Sequence, residues 1–413
     1  MKLLKESANF GLIVPDAWLM VYSGQGLRKY ILDNCKINQI INLEGYSFEN
    51  VSVETVILLA KKEKIIKNEF DILLSRDVEF VFSHKKEQEL FSKNEGYEFR
   101  VFSDEKSSDL IERLQNNSVE LDSIVQIKAG LQAYEKGKGI PKQSADDVKN
   151  RPYDYSYKFD DNTFKYLDGK DVGRYFISWS GLYLKYGEHL AAPRTFNLFD
   201  GRKIIIREIT GAYPNSIIST YSEDVYLYNR SNIAIVEKED KDISLKYILS
   251  ILNSSLIAYY FMKNTAKSVR KMFPKVILKD LRQFPFKEIE KDNQQPFIDK
   301  ADKMLELNKN LQETKQNFTN ELQLEKLTKK LQNFETLTFE EFIKEYTKSL
   351  KLKFTDKLAE RNFKQEWQAI FENDKTLACG FKTEIQITDK EIDKMVNELY
   401  GLSEDEIKIV EGI

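Results

Sequence analysis

The chain has 413 residues, in which 63 lysines and arginines nearly balance 66 aspartates and glutamates, so its formal net charge is −3. Hydrophobic residues make up 41% and charged residues 31%, a composition typical of a globular protein and not of a disordered one. At about 100–200 residues per domain, this length predicts about two to four domains. The near-neutral total gives no overall electrostatic argument for nucleic acid or a membrane as a partner.

The chain contains only two cysteines, Cys35 and Cys379, and only two histidines, His84 and His189. This excludes a disulfide framework and a cysteine-based zinc site, and it predicts a reducing, cytoplasmic compartment. Little scope remains for histidine-dependent catalysis, and we predict no metal site. The most membrane-like segment, residues 247–262, is uncharged but shorter than a membrane span, so it predicts a buried helix and no membrane partner.

Residues 1–123 have the sequence pattern of an α/β domain. Apolar and β-branched runs of strand length alternate with helical spacing over residues 18–32, and a loop with glycine and asparagine separates the second strand from the third. The predicted strands are residues 11–14, 37–43, 51–60, 70–74 and 78–82.

Residues 124–289 predict a mixed α+β domain. They are rich in tyrosine, glycine and arginine, and short strands such as 203–209 and 231–236 lie between recurring turn signals. One continuous helix is predicted over residues 245–262.

Residues 290–413 predict a mainly helical C-terminal region. Met304, Leu311 and Phe318 recur at seven-residue spacing, which indicates one apolar helix face. Farther on, Thr388 and Ser403 each precede a glutamate by three residues, the capping-box pattern that predicts a helix start.

The motifs of self-sufficient enzymes are absent from the sequence. It has no Gly-x-Gly-x-x-Gly fingerprint, no P-loop and no Gly-x-Ser-x-Gly, and none of its eight prolines is adjacent to another, so an Asn-Pro-Pro-aromatic tetrapeptide does not occur. The sequence therefore predicts no catalytic residue.

Three segments, in order, resemble parts of restriction–modification enzymes. Residues 10–63, which include FGLIVPDAW and INLEGYSFENVSVETVILLA, resemble the last third of the catalytic domain of Taq-type adenine-N6 DNA methyltransferases. Residues 124–287 are similar to the TaqI-like specificity domain, through strings such as IVQIKAGLQAY, YLDGKDVGRY, FDGRKIIIRE and KMFPKVILKDLRQFPF. The tail IDKMVNELYGLSEDEIKIVEG resembles the C-terminal end of large type IIG enzymes.

The resemblance implies that residues 1–123 are the α/β remnant of a Rossmann-like methyltransferase sheet, followed by a target-recognition domain at 124–289 and a helical region at 290–413. In the family, that sheet binds S-adenosylmethionine, but the glycine motif, the acidic ribose-binding residue and the Asn-Pro-Pro-aromatic loop are absent here. We therefore expect no cofactor to bind to this chain alone. Either the chain is a fragment, or a separate N-terminal methyltransferase chain supplies the missing half, so whether it acts as an enzyme stays open.

Phe48 is the most specific candidate for a functional residue that the resemblance provides. In the family, an aromatic residue in the loop before a late strand stacks on the extruded target adenine, and Phe48 lies at the matching distance before residues 51–60. An exposed aromatic ring offers a stacking surface to a flipped base. The alternative is a phenylalanine that packs under its own loop.

The near-neutral net charge arises because segments of opposite charge cancel. Residues 1–125 carry −5, residues 126–287 carry +9 and residues 288–413 carry −7. A basic zone with interleaved aromatics is the pattern of a surface that contacts the phosphate backbone, although a solvated basic loop is the alternative. The densest part of this zone consists of Lys267, Arg270, Lys271 and Lys275.

Six arginines in or beside turns of the basic segment are candidates for contact with DNA. Arginine matches O6 and N7 of guanine in the major groove, and it also clamps phosphates. The sequence does not separate base readers from phosphate clamps or from partners in structural ion pairs. The candidates are Arg151, Arg174, Arg194, Arg202, Arg207 and Arg230.

These observations together predict sequence-specific recognition of double-stranded DNA within a restriction–modification system, as part of an adenine-N6 DNA methyltransferase. The alternative is a non-catalytic assembly or remnant protein whose helical tail only mediates interactions.

Overall fold

The computed structural model describes residues 4–46, 54–76, 79–101, 105–264 and 275–412. The strands are β1 Asn9–Pro15, β2 Lys36–Tyr46, β3 Glu54–Lys61, β4 Glu69–Arg76, β5 Glu79–Glu87, β6 Val119–Glu120, β7 Val125–Ala129, β8 Asp154–Tyr155, β9 Thr163–Leu167, β10 Val172–Gly173, β11 Phe176–Ile177, β12 Tyr183–Lys185, β13 Lys203–Arg207, β14 Ser219–Ser222, β15 Leu227–Tyr228, β16 Asn232–Glu237 and β17 Pro285–Phe286. The helices are α1 Gln25–Asn34, α2 Glu105–Asn116, α3 Leu121–Ile124, α4 Ala145–Asn150, α5 Leu245–Leu252, α6 Ser255–Asn264, α7 Leu278–Arg282, α8 Lys291–Glu321, α9 Lys329–Gln332, α10 Phe339–Leu350, α11 Lys357–Leu399 and α12 Glu404–Glu411.

The chain divides into two compact units. Unit 1 consists of residues 1–121, 257–287 and 403–413, and unit 2 of residues 122–256 and 288–402. The predicted mixture of α and β elements, followed by a helical C-terminal region, is confirmed. The predicted domain boundaries at 123/124 and 289/290 stay a prediction.

Unit 1 contains a five-stranded sheet in the order β1-β3-β2-β4-β5. Strand β3 pairs antiparallel with both β1 and β2, so β1 and β2 run in the same direction and α1 connects them. The sheet continues through a parallel pair, β2 with β4, and an antiparallel pair, β4 with β5. All five predicted strands occur, because apolar residues such as Ile40, Val56 and Ile72 supply the buried face that these runs indicate.

A buried arginine ties the segments around α1 together. Arg28 is 1% exposed. Its Nη1 donates to the carbonyls of Trp18 (2.6 Å) and Val21 (2.9 Å), and its Nη2 donates to that of Gly96 (2.8 Å). Because buried donors need acceptors, this side chain fixes the turn before α1 against residue 96.

Unit 2 contains two four-stranded sheets, in the orders β14-β13-β16-β7 and β15-β9-β12-β8. Strand β13 is central in the first, and its run Ile204, Ile205 and Ile206 is fully buried. A core of leucines and aromatics, including Phe199 and Tyr228, packs beside it. The loops that leave these short strands carry most of the arginines predicted from the sequence.

The prediction of one helix over residues 245–262 is wrong. The structure has two helices there, α5 and α6, with Asn253 and Ser254 between them. The Asn253 side chain bonds to β14, accepting from Ser219 Oγ (2.8 Å) and donating to the Ser219 carbonyl (3.1 Å). The Ser255 amide then donates to Asp393 (2.8 Å), which satisfies the start of α6. Polar contacts outside the segment thus override its apolar pattern.

The C-terminal helices follow the sequence pattern in part. Met304, Leu311 and Phe318 are all buried on α8, as their spacing predicts. Ser403 caps α12 through a complete capping box, as predicted. The helix start predicted at Thr388 is wrong, because Thr388 is buried within α11, which continues to Leu399. Across the described ranges, no helix is both long enough and apolar enough to span a membrane.

Candidate nucleic-acid interface

Four loops of unit 2 meet through hydrogen bonds of the backbone. The amide of Leu131 donates to the carbonyl of Tyr228, and the amide of Gln132 donates to that of Ala192, each over 2.9 Å. Because the loops are bonded to one another, the side chains that they carry have fixed relative positions. We call these loops together the loop junction, and they are residues 130–132, 192–194, 207–211 and 229–231.

Gly130 permits the close approach of the first loop to the last. A β-carbon at this position would lie 2.2 Å from the carbonyl oxygen of Asn229 and 2.4 Å from that of Tyr228. The Gly130 amide donates to the carbonyl of Asn232 (3.0 Å). Any larger residue would therefore push the two loops apart and break the junction.

Two predicted arginines reach the same loop of the junction. Arg194 Nε donates to the carbonyl of Gly130 (3.4 Å), and Arg230 Nη1 donates to Oε1 of Gln132 (2.8 Å). Both arginines are exposed. The backbone of Arg194 is left-handed (φ +64°), and its carbonyl accepts from the Tyr186 hydroxyl (2.7 Å). The fold therefore brings two arginines that are 36 positions apart in the chain to the same loop, which turn signals alone did not show.

A third predicted arginine, Arg207, lies at the end of β13 in the same junction. Its Nε donates to the carbonyl of Ile209 (2.6 Å), and burial lowers the pKa of its guanidinium. The neighbouring amide of Glu208 donates to the carbonyl of Ser231 (2.8 Å), which attaches this loop to the one that holds Arg230. Arg207 is half-buried, so it shapes the junction more than it projects from it.

The charges of these three arginines are not neutralised within the described part of the chain. Arg194, Arg207 and Arg230 bond to carbonyl or amide oxygens, and none of them forms an ion pair with a described carboxylate. A guanidinium that rests on neutral oxygens retains its charge for an external anion. The planar fork of arginine suits phosphate and the guanine edge alike.

Arg151 and Arg202, in contrast, each have a carboxylate partner. Arg151 Nε lies 2.6 Å from Asp154 Oδ2, and its guanidinium lies 4.8 Å from the ring centre of Tyr134. Arg202 lies 3.2 Å from Glu237, although 61% of its side chain is exposed. The Arg202 pair is exposed and therefore weak, so Arg202 can exchange its carboxylate for a phosphate. The Asp154 side chain is only 13% exposed, so Arg151 is held more firmly.

Of the predicted arginines, Arg174 is the one most fully engaged in contacts within the protein. It forms a bidentate pair with Asp389 on α11 (2.6 and 2.5 Å), and its Nη2 also donates to the carbonyl of Asn253 (2.7 Å). Only 14% of its side chain is exposed. Arg174 therefore connects the sheet region of unit 2 to the C-terminal helices.

The remaining predicted residues are not part of the loop junction. Lys275 belongs to unit 1, where it precedes α7 and makes contacts of its own. Phe48, Lys267, Arg270 and Lys271 lie outside the described residues. The proposed roles of these five residues stay predictions.

Described residues of unit 1 line two notable cavities. One has a volume of about 390 Å³ and is lined mainly by apolar side chains of β1, α1 and the turn between them, including Leu12, Trp18 and Leu27. The other, about 360 Å³, is lined by apolar and neutral polar side chains and by a charged set that consists of Lys86, Lys93, Arg100, Lys263 and Glu112. Among the described residues, no group of three or more histidines, cysteines or carboxylates is arranged to hold a metal ion.

Three parts of the chain match models of protein families. Residues 164–286 match the TaqI-like C-terminal specificity domain, and residues 1–48 match the Eco57I restriction-modification methylase. The predicted resemblance to restriction–modification enzymes is thereby confirmed. Residues 290–396 match a domain family of unknown function, DUF8810.

A curated relative shows the same resemblance. The chain is 24% identical over 298 residues to RM.MjaORFECS2P of Methanocaldococcus jannaschii, which is named as a candidate type II restriction enzyme and methyltransferase. The match covers 69% of this chain and 24% of the relative. The chain thus spans about a quarter of that relative's length.

Solved structures of restriction enzymes also align in part. The type IIL restriction-modification enzyme MmeI, in complex with DNA, aligns at a TM-score of 0.43 and 10% identity over 89% of this chain and 50% of its own. The type IIG restriction endonuclease BpuSI aligns at 0.35 and 12% identity over 72% and 42%. At such scores the alignments carry no conclusion about this chain.

The segment that matches the specificity domain contains five of the six predicted arginines, and Arg151 precedes it. Two features of the loop junction were not predicted. Gln132, which orients Arg230, gave no signal of its own in the sequence. The close approach of Gly130 to residue 229 also gave no signal, because it depends on contacts between residues far apart in the chain.

Proposed function

We propose that this chain recognises double-stranded DNA through the loops of its specificity domain, as the DNA-reading part of a restriction–modification methyltransferase. The loop junction carries the proposal, because it holds Arg194 and Arg230 exposed, oriented and without a described carboxylate partner. Arginines on fixed loops bind phosphates and read guanine edges, whereas flexible ones lose entropy on binding. The +9 charge of residues 126–287 supports the same conclusion.

Binding of labelled duplex DNA, followed by gel shift and by fluorescence anisotropy, tests this proposal. The affinity should fall steeply as salt concentration rises, because each neutralised phosphate releases counterions. An unrelated acidic protein of similar size serves as the control. If the chain binds duplex DNA at low salt no better than that protein does, DNA recognition is wrong and the helical assembly role becomes the better hypothesis.

We further infer that the sheet of unit 1 is the remnant of a Rossmann-like methyltransferase sheet. Support comes from the match of residues 1–48 to the methylase family and from the β1–α1–β2 crossover, in which both strands run in the same direction. A helix that connects two strands of the same direction is the building unit of such sheets.

The described cavities of unit 1 do not fit S-adenosylmethionine. The cofactor needs a carboxylate for its ribose hydroxyls and polar partners for its amino-acid group. The apolar cavity has no charged side chain in its lining, and the cationic cavity would repel the sulfonium. We derive no methyl-transfer step for this chain, and we propose that the cofactor site lies in the rest of the complete enzyme.

The outer edge of β1 favours a second methyltransferase segment as partner. Strand β1 is at the edge of the described sheet, and Leu12 and Ile13 are 49% and 55% exposed. Unpaired apolar edges tend to acquire another strand. We propose that the strand of a methylase segment that carries the Asn-Pro-Pro-aromatic motif pairs here.

Reconstitution tests this pairing. The purified chain, with labelled S-adenosylmethionine and duplex DNA, should transfer no methyl group. Co-expression with a polypeptide that carries the methylase motifs should give a complex, and Leu12→Arg should abolish it while Leu352→Arg, an exposed leucine after α10, should not. Methyl transfer by the chain alone would refute the proposal.

A further inference from the structure

A lysine-rich loop precedes the specificity domain and has no role in the functions discussed so far. We call residues 136–142, with the sequence KGKGIPK between β7 and α4, the lysine loop. Lys136, Lys138 and Lys142 are exposed. Among the residues that the structure describes, none of their ammonium groups has a hydrogen bond or an ion pair. Three unneutralised cations therefore lie within seven residues.

The lysine loop has a fixed conformation, because Gln143 forms hydrogen bonds with residues in and around it. The side chain of Gln143 is 3% exposed. It accepts from the amide of Glu135 (2.8 Å) and donates to the carbonyls of Ala133 and His189 (2.8 Å each). The backbone of Gln143 closes the loop, since its amide donates to the carbonyl of Lys138 (2.7 Å). Every polar atom of this buried amide group is engaged, so the loop has little freedom.

Gly139 allows the lysine loop to pack closely against residues 188 and 189. Its backbone is left-handed (φ +82°), and a β-carbon would lie 2.4 Å from the carbonyl oxygen of His189. The next amide, that of Ile140, donates to the carbonyl of Glu188 (2.9 Å). Gly137 is also left-handed (φ +79°), but a β-carbon there would meet no atom within 4 Å. Only Gly139 is thus required by a close contact.

We propose that the lysine loop binds phosphates of the DNA backbone and extends the DNA interface beyond the residues that match the specificity family. This inference rests on the proposed DNA recognition and adds a second contact surface to it. Lysines bind phosphate as point charges and carry no sequence information, so the loop fixes the position of the duplex and does not select its sequence. Because the loop is rigid before binding, little entropy is lost when it contacts the backbone.

The first test replaces all three lysines with alanine and measures affinity for a labelled duplex by fluorescence anisotropy between about 50 and 200 mM salt. Three lost phosphate contacts should reduce the slope of log affinity against log salt by about 2.7. The matched control removes Lys326, Lys329 and Lys330, three exposed lysines that precede or lie in α9, and should leave the slope unchanged.

The second test moves the loop and keeps its charge. Gly139→Ala places a β-carbon against the His189 carbonyl, whereas Gly137→Ala imposes the same kind of backbone strain without a collision. We expect Gly139→Ala to weaken DNA binding about 10-fold and to reduce the salt slope, because the misplaced lysines neutralise fewer phosphates although their charge remains. Gly137→Ala should bind within about twofold of the original protein. Thermal unfolding of both variants establishes that each is folded.

The outcomes separate this inference from the proposed function. If the original protein binds DNA and the triple lysine variant keeps its salt slope, the proposed role of the lysine loop is wrong and the proposed DNA recognition stands. Equal losses in the loop variant and in the control variant would also refute the loop, because net charge would then explain both. If the original protein does not bind DNA, the proposed function itself fails.

Discussion

Two regions of unit 2 use their cations differently. In the C-terminal helices, lysines pair with carboxylates on neighbouring elements. These pairs are Lys300 with Glu391 (2.7 Å), Lys303 with Glu384 (3.1 Å), Lys315 with Glu335 (3.1 Å) and Lys382 with Glu335 (2.5 Å). In the loop junction and the lysine loop, the cations contact neutral oxygens or no described partner.

The difference shows that a count of basic residues does not locate a DNA interface. A cation that is paired with a buried carboxylate, such as Glu335, already contributes to the packing of helices. A cation that rests on a carbonyl oxygen keeps its charge for a ligand. The comparison therefore predicts that loss of a cation paired with a buried carboxylate changes stability, whereas substitutions in the loops change DNA binding.

Arg174 gives the strongest test of this difference between paired and unpaired cations. It lies in the basic segment, but it pairs with a carboxylate as the lysines of the C-terminal helices do. Arg174→Ala leaves Asp389 without its bidentate partner in a mostly buried position. Removal of one partner from a buried ion pair costs about 3–5 kcal/mol. Urea unfolding followed by circular dichroism should show a loss of this size. A loss below about 1 kcal/mol would place Arg174 among the exposed, available cations.

Lys203 is a third kind of cation, buried and in direct contact with carbonyl oxygens but with no described carboxylate. Its Nζ donates to the carbonyls of Gly201 (2.8 Å) and Asp224 (2.7 Å), and burial lowers its pKa to about 8. In the unfolded chain its pKa is about 10.4, so the folded protein releases this proton first and its stability rises with pH between these values. Relative to Lys203→Met, the original protein should gain on the order of 3 kcal/mol between pH 8 and about 10.4.

The measurement for Lys203 is the free energy of urea unfolding of both proteins across this pH range. Groups other than residue 203 titrate in both proteins and cancel in the difference. A difference that stays constant with pH would mean that Lys203 has an ordinary pKa and is not desolvated.

The arginines of the loop junction should affect binding and leave stability unchanged. Arg194→Ala with Arg230→Ala removes two charge-assisted contacts, each expected to contribute about 1–3 kcal/mol, so DNA affinity should fall about 100-fold. The control is Lys300→Ala with Lys303→Ala, which removes the same charge from α8. An equal loss of affinity in both double variants would contradict the assignment of the interface to the loops.

The smallest effect is expected for a single helical ion pair. Lys300 and Glu391 have side chains that are 30% and 45% exposed, and such pairs contribute less than about 1 kcal/mol. Lys300→Ala should therefore change neither the urea midpoint appreciably nor the affinity for DNA. A loss of DNA binding in this variant would mean that the helices also contact the duplex.

The sequence pattern predicted those features that depend on neighbours along the chain. Strand β1, which ends at Pro15, and the buried face of α8 both follow from local periodicity. The break at Asn253 and the role of Arg174 did not follow, because they depend on Ser219 and Asp389, residues distant in the sequence. Arginine in a turn looks the same whether its partner is a carboxylate, a carbonyl or DNA.

Site-specific photo-crosslinking tests the central claim most directly. A photoreactive amino acid at position 230 of the loop junction is compared with one at position 309, an exposed lysine on α8, in the presence of labelled duplex DNA. The account predicts crosslinks to DNA from position 230 that disappear at high salt, and none from position 309. Crosslinks from position 309 without any from position 230 would contradict it.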